Sequence, residues 1–311
     1  MQNADIAALW DYDTFNAGFI VVRPSPLTRL VYQMTQEISN RTHLTDQRAL
    51  NEAIRIMQIH TGERVLRVNA LDKTRFLNGY LYFWKYARKL GEVCDGNKRP
   101  NKPALCPLVV HNNYITGKQA KIYRFREHLM WNYDGADRYY TSETRKYLTY
   151  TNPKPTTNFT REVMERQMSA LKTALAIGHL LNRVVILPIF HCDQPTVHWL
   201  CHLESVADVA TFDSCFSGRY RENSFLRHRK VPGSVKHGVV HRQFRLNAKD
   251  PMSDYVLVSQ RSIDVMRLLN DVRVSAKVLN ISGLDRIKID INDGAFDREF
   301  ISNLKSGIKL I

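Results

Sequence analysis

Residues 108–118 constrain this chain more than any other stretch. Leu108, Val109 and Val110 form a short apolar run with Pro107 upstream, and such a run reads as a buried strand. The chain then presents His111, Asn112, Asn113, Gly117 and Lys118 in quick succession. In open α/β folds, ligands collect at the carboxyl ends of strands. An imidazole suits a divalent transition metal. A glycine allows close backbone approach, and a lysine offers a mobile positive charge to phosphate. The combination suggests a metal–diphosphate site. The plainer alternative is a strand end with a surface histidine and an Asn-rich turn.

The 311 residues suffice for one large domain or two ordinary ones. With 44% hydrophobic and 24% charged residues, the composition is globular, not disordered. The formal net charge is +15. Residues 1–155 hold 23 Lys and Arg against 14 Asp and Glu, and residues 156–311 hold 22 against 16. The excess is therefore spread along the chain, which favours anionic ligands such as nucleotide diphosphates, acidic glycans or nucleic acid. No RNA-binding motif, zinc-finger spacing or basic zipper is present, so nucleic acid is the weaker reading. No apolar run reaches the ~18 residues of a membrane span, and the N-terminus has no signal-peptide pattern. The sequons at Asn40, Asn158 and Asn280 point weakly toward a secretory life. Cys94 and Cys106 bracket a polar loop. They would pair in an oxidising compartment or remain free thiols.

Along the chain, Ile6–Trp10 reads as a mediocre strand. Asp11-Tyr12-Asp13 is literally D-x-D, but without a strong strand before it the motif reads as a turn. Phe19–Val22 reads as a buried strand ended by Pro24, with Asn16 and Gly18 at its mouth. There the carboxamide would meet sugar hydroxyls and the glycine would leave room for a ligand, or the pair forms a simple turn. Residues 26–39 have helical periodicity, and Thr45 would cap a second helix that begins with Asp46 and Gln47. Those two residues either complete the cap or direct a carboxylate and a carboxamide into a sugar site. Leu66–Val68 reads as a short strand, and Phe76–Phe83 as a turn followed by a strand. Lys121–Glu127 is a basic, aromatic-interleaved segment. The turn-rich segment 151–158 is the expected domain boundary. Beyond it, a helix through Val163–Leu181 and a strand at Val184–Pro188 form an α/β unit. His191, Cys192, Asp193, His198, Cys201 and His202 have zinc-binding side chains, but their spacing matches no standard signature.

Several of these segments form an ordered series: Asn16-Ala17-Gly18-Phe19 with Arg23-Pro24, Asp46-Gln47 with Ala49-Leu50-Asn51, Asn78-Gly79 before Phe83, and Val110-His111-Asn112-Asn113 with Gly117-Lys118. The series resembles the nucleotide-diphospho-sugar transferase family, which includes plant extensin arabinosyltransferases and rhamnogalacturonan II xylosyltransferases. Later stretches are similar to an extensin arabinosyltransferase as well: Ala174–Ile177, Leu180–Arg183, Leu187-Pro188, Cys192, Arg219–Glu222 and Ser224–Leu226. The helix–strand part is similar to the start of the protein O-fucosyltransferase fold.

The resemblance implies an α/β fold. Residues 1–150 would be the C-terminal portion of a GT-A, Rossmann-like nucleotide-sugar domain, incomplete at its N-terminus. Residues 158–311 would be a second α/β domain. The implied activity is that of a glycosyltransferase which moves an arabinose-like pentose from a UDP-sugar to a glycoprotein or glycan, with retention, in the Golgi lumen and with Mn²⁺. By position, His111 would ligate the metal, and Gly117 and Lys118 would contact the diphosphate. Asn16, Gly18 and Asn112 would line the donor and acceptor sugars, and Asp46 and Gln47 would be catalytic. Family members carry a D-x-D well upstream of the Asn-x-Gly-Phe motif, and an N-terminal membrane anchor. Asp11-Tyr12-Asp13 lies too close to Asn16 to be that pair, so both features are expected to be absent from this chain. Two alternatives remain: a catalytically inactive glycan-binding or scaffold relative, and a basic nucleic-acid-binding protein.

Overall fold

Strand β1 (Ile6–Trp10) is buried almost end to end, and this fixes the architecture of the first part of the chain. It lies between an antiparallel partner, β2 (Phe15–Val22), and a parallel one, β3 (Val68–Ala70). Ala7 and Ala8 supply the small side chains that this central position accepts. The computed structural model describes residues 4–86, 107–153, 160–192, 200–243, 276–284 and 298–306. Contacts divide the chain into two compact units, Met1–Thr116 and Gly117–Ile311, a boundary upstream of the turn-rich 151–158 segment.

In the first unit, helix α1 (Pro26–Thr42) begins in a reciprocal Ser25–Thr28 capping box with Pro26 at its head. Helix α2 (Asp46–Thr61) follows. Its apolar stripe of Leu50, Ala53, Ile54 and Met57 packs with Val31, Ile6 and Leu66 into one core. Each large side chain buried there contributes on the order of 2 kcal/mol. Strands β4 (Phe76–Asn78) and β5 (Val109–His111) pair in parallel, with Asn78 beside His111.

Three local expectations are corrected. Strand β2 is half-exposed, because it is an edge strand covered on one face. Strand β5 is only partly buried along its length, because it belongs to a two-stranded sheet. Phe76–Phe83 is a strand that passes directly into a π-helix, Tyr80–Tyr86, not a turn followed by a strand. Asn78 Oδ1 accepts from Leu81 N at 2.8 Å and coils the chain as it leaves β4.

In the second unit, helix α3 (Lys118–Glu127) precedes a five-stranded, all-parallel sheet. Its strands are β6 (Tyr147–Tyr150), β7 (Val184–Ile186), β10 (Tyr220–Arg221), β11 (Val239–Gln243) and β12 (Val278–Ser282), in the order β10-β7-β6-β12-β11. Helix α4 (Arg161–Leu180) crosses from β6 to β7, making the expected βαβ unit. A hairpin of β8 (Phe190–His191) and β9 (Leu200–Cys201) holds a Cys192–Cys201 disulfide. Cys94 and Cys106 lie outside the described residues. Helices α5 (Val209–Phe216), α6 (Gly233–Lys236) and α7 (Arg298–Ser306) complete the unit. Among the described residues, no helix is long and apolar enough to cross a membrane. The whole is a mixed α/β protein with parallel sheets, the architecture of a Rossmann-like fold.

Candidate active site

Three strand ends of the first unit deliver polar side chains to one place. Asp11 directly follows β1, while β4 ends in Asn78 and β5 in His111. Asp11 is the hub. Its carboxylate is buried and accepts from Asn16 Nδ2 at 2.5 Å, Asn78 Nδ2 at 2.9 Å and Asn113 Nδ2 at 3.2 Å. Gln47 Nε2 lies at 3.4 Å, a longer contact shared with the Thr14 hydroxyl. Burial and the Asp11 charge, together with a hydrogen bond to that carboxylate, raise the Tyr114 phenol above its ordinary pKa. Among the described residues, no lysine, arginine or histidine forms an ion pair with Asp11. Among the described residues, the hydrogen bonds to this carboxylate come from neutral carboxamides.

Backbone geometry places these donors. The β1–β2 register shifts between Ala8 and Leu9, so Leu9 faces Asn16 while Ala8 faces Ile20. That bulge turns the Asn16 side chain inward onto Asp11. Asn16 Oδ1 then accepts from Gly18 N at 2.7 Å. Gly18 cannot carry a side chain here: a Cβ would lie 2.3 Å from His111 Cε1 and 2.4 Å from its Nε2. The space expected for a ligand at Gly18 is filled by the His111 ring. Gly79 is equally constrained, since a Cβ would meet the Asn113 carbonyl oxygen at 2.1 Å. Its N–H donates to Asn113 Oδ1 at 2.6 Å and fixes that carboxamide for Asp11. On α2, Asn51 exchanges two hydrogen bonds with the Phe15 backbone, at 3.0 and 2.8 Å. This clamp sets Gln47, one turn earlier on the helix, toward Asp11.

Asn16 and Gln47 therefore meet the Asp11 carboxylate, Gly18 is bonded to Asn16, and the His111 ring lies against Gly18. Asn112 is buried beside His111 in the chain. Asp46 is exposed, and its Oδ1 accepts from Gln47 N at 2.7 Å at the start of α2, a local bond that leaves it outside the hub. Gly117 and Lys118 belong to the second unit. Gly117 has φ 90° and caps α3, and Lys118 opens that helix in an exposed position. Both line an open groove with Lys121, Ile122, Phe125 and Trp131.

Sequence reasoning read Asp11 as part of a turn, and named Asn78 and Asn113 only within motifs; their meeting at Asp11, and the place of Tyr114 beside it, were not foreseen.

The Mn²⁺ that the resemblance implies finds an incomplete ligand set. Asp11's oxygens are occupied by carboxamide donors. Among the described residues, no group of three His, Cys, Asp or Glu side chains converges on His111.

Comparison with curated proteins and with solved structures found no match for the chain. Residues 2–125 match the model of the nucleotide-diphospho-sugar transferase family, and the region built around Asp11 lies within that match.

Proposed function

We propose that the first unit binds a UDP-pentose, arabinose-like in kind, and transfers the sugar to a glycoprotein or glycan hydroxyl with retention of configuration. The observation that carries this reading is the Asp11 carboxylate, gathered with Asn16, Gln47, Asn78 and Asn113 at strand ends beside His111. Carboxamides both donate and accept, so they suit sugar hydroxyls. In transfer, the anomeric carbon–oxygen bond breaks and its electron pair leaves with the diphosphate. The acceptor oxygen bonds to the same carbon, and its proton passes to the departing phosphate oxygen. Positive charge develops on the sugar between these events. A fixed carboxylate stabilises that charge. Asp11 is better placed for this role than Asp46.

A diphosphate role for Gly117 and Lys118 is a separate proposal, tested by Lys118→Ala. The Cys192–Cys201 disulfide supports an oxidising compartment such as the Golgi lumen.

The experiment is calorimetric titration of UDP into the chain, with and without Mn²⁺, followed by transfer assays with UDP-pentoses. Saturable UDP binding that Asn16→Ala weakens and His111→Ala abolishes is the expected result. Folded protein that binds no UDP in either condition would overturn the reading. Binding that needs Mn²⁺ would add the ion as a cofactor.

A further inference from the structure

Where α3 ends, in the second unit, Glu127 and His128 meet His202, the residue that follows β9. One ligand atom from each of the three lies within 4.8 Å of the other two. Glu127 is buried, and each of its oxygens has a task. Oε1 accepts from Asn223 Nδ2 at 2.6 Å, while Oε2 lies 2.8 Å from His202 Nδ1. The two imidazoles sit with centroids 4.7 Å apart and planes inclined by 50°. Around them, Arg124 and Glu204 form a bidentate pair at 2.6 and 2.8 Å. That pair is neutral as a unit, and Glu127 supplies the one carboxylate among the three candidate ligands.

We propose that Glu127, His128 and His202 form a binding site for a divalent transition ion of the zinc class. Two imidazoles and one carboxylate are a donor set that zinc accepts, with a fourth position left open to water. Zinc–ligand distances of about 2.0–2.2 Å require only a small inward movement of the donors. The surroundings have the features of an outer shell. Asn223 orients the carboxylate, and such partners commonly orient metal ligands. Each ligand is anchored by its backbone. His128 N donates to Arg124 O at 3.1 Å, and His202 O accepts from Ser205 N at 3.0 Å. The Cys192–Cys201 disulfide pins the chain immediately before His202. It also removes both cysteines as ligands; Asp193 and His198 lie outside the described residues, and among the described ones His202 joins residues from another element.

The test uses the full chain, stripped with a chelator and titrated with Zn²⁺ and Co²⁺ in the absence of nucleotide. One ion per chain should bind, with visible Co²⁺ absorption of a low-coordinate N/O site. His202→Ala and Glu127→Gln should each weaken binding at least tenfold, and Asn223→Ala by about 10–100-fold. His111→Ala should leave this binding unchanged, which separates the site from the nucleotide reading. Zn²⁺ should also raise the melting temperature of the wild type and not of His202→Ala. Folded wild-type protein that binds neither ion would overturn the proposal. So would binding that His202→Ala and Asn223→Ala leave unaltered. The cluster would then be a proton-bridged Glu127–His202 pair.

Discussion

The two units hold a buried carboxylate by opposite means. In the first, Asp11 is surrounded by the neutral amides of Asn16, Asn78 and Asn113. In the second, Glu204 is held by the Arg124 guanidinium, and Glu127 by His202 and Asn223. A charge met by a charge is locally complete. A charge met only by dipoles is hydrogen-bonded yet still exerts its field. Asp11 thus resembles a site arranged to act on something that arrives, while Arg124–Glu204 resembles a fastening between α3 and the segment that follows β9.

The contrast predicts different responses to substitution. The largest effect is expected at the fastening. Arg124 is 1% exposed on its side chain and Glu204 8%. Arg124→Met strands a buried carboxylate and should cost about 3–5 kcal/mol in urea unfolding. The double variant Arg124→Met/Glu204→Leu should recover most of that loss, because a buried ion pair is often replaceable by apolar groups of similar volume. A double variant as unstable as the single would show that the pair does more than fasten.

Asp11 should not be rescued in this way. Asp11→Leu orphans several buried carboxamides at once, and each unsatisfied group costs on the order of 1–3 kcal/mol. A net loss of about 3 kcal/mol in denaturant unfolding is expected. Pairing it with Asn78→Leu should not restore stability, since the buried Asn16 Nδ2 still loses its Asp11 acceptor. Asp11→Asn is the sharper variant, because it keeps the shape and removes the charge. It should retain UDP binding and lose transfer. Full transfer by Asp11→Asn would reduce the hub to a structural knot.

Gly18→Ala comes next. Its Cβ would collide with the His111 ring and the Asn16 carboxamide oxygen, and overpacking of this kind costs about 1–3 kcal/mol. The His111 imidazole resonances should shift, and UDP affinity should fall further than in a control Gly233→Ala, whose added methyl makes an ordinary contact with His237 Cδ2 at 3.8 Å. Equal losses in the two variants would show that His111 does not depend on Gly18.

The helices were readable because burial on one face imposes a periodicity on consecutive residues. Leu50, Ile54 and Met57 recur at that spacing and face the core. Strand β1 was undervalued because Ala7 and Ala8 have weak strand propensity, whereas a central strand between two neighbours favours small side chains. His111, Gly18 and Asn16 were visible as residue types at strand ends. The hub was not, because Asp11 draws its donors from segments separated by up to 102 positions, and local spacing carries no information about such a meeting. The same holds for Glu127 and His202, whose partnership depends on where β9 ends.

The smallest effect expected lies at the edge of the first unit, where a carboxylate is paired with a cation near solvent. Asp5 Oδ2 accepts from Arg67 N at 3.0 Å and from Arg67 Nε at 3.3 Å. These bonds hold the Asp5 carboxyl below its ordinary value. A depressed folded-state pKa means that the unfolded chain takes up the proton first as pH falls. The stabilisation is therefore complete above the ordinary aspartate range near 3.9 and is lost as pH drops through the folded value. Because the Arg67 side chain is 42% exposed, solvent screening limits the pair to about 0.5 kcal/mol. Asp5→Asn should lower stability by that amount at neutral pH and converge with the wild type in acid. The measurement is urea unfolding from pH 7 to pH 2.5. Curves that stay parallel would show that Asp5 acts through its hydrogen bonds alone, which would make it a dipolar contact like those around Asp11 and not an ionic one like Arg124–Glu204.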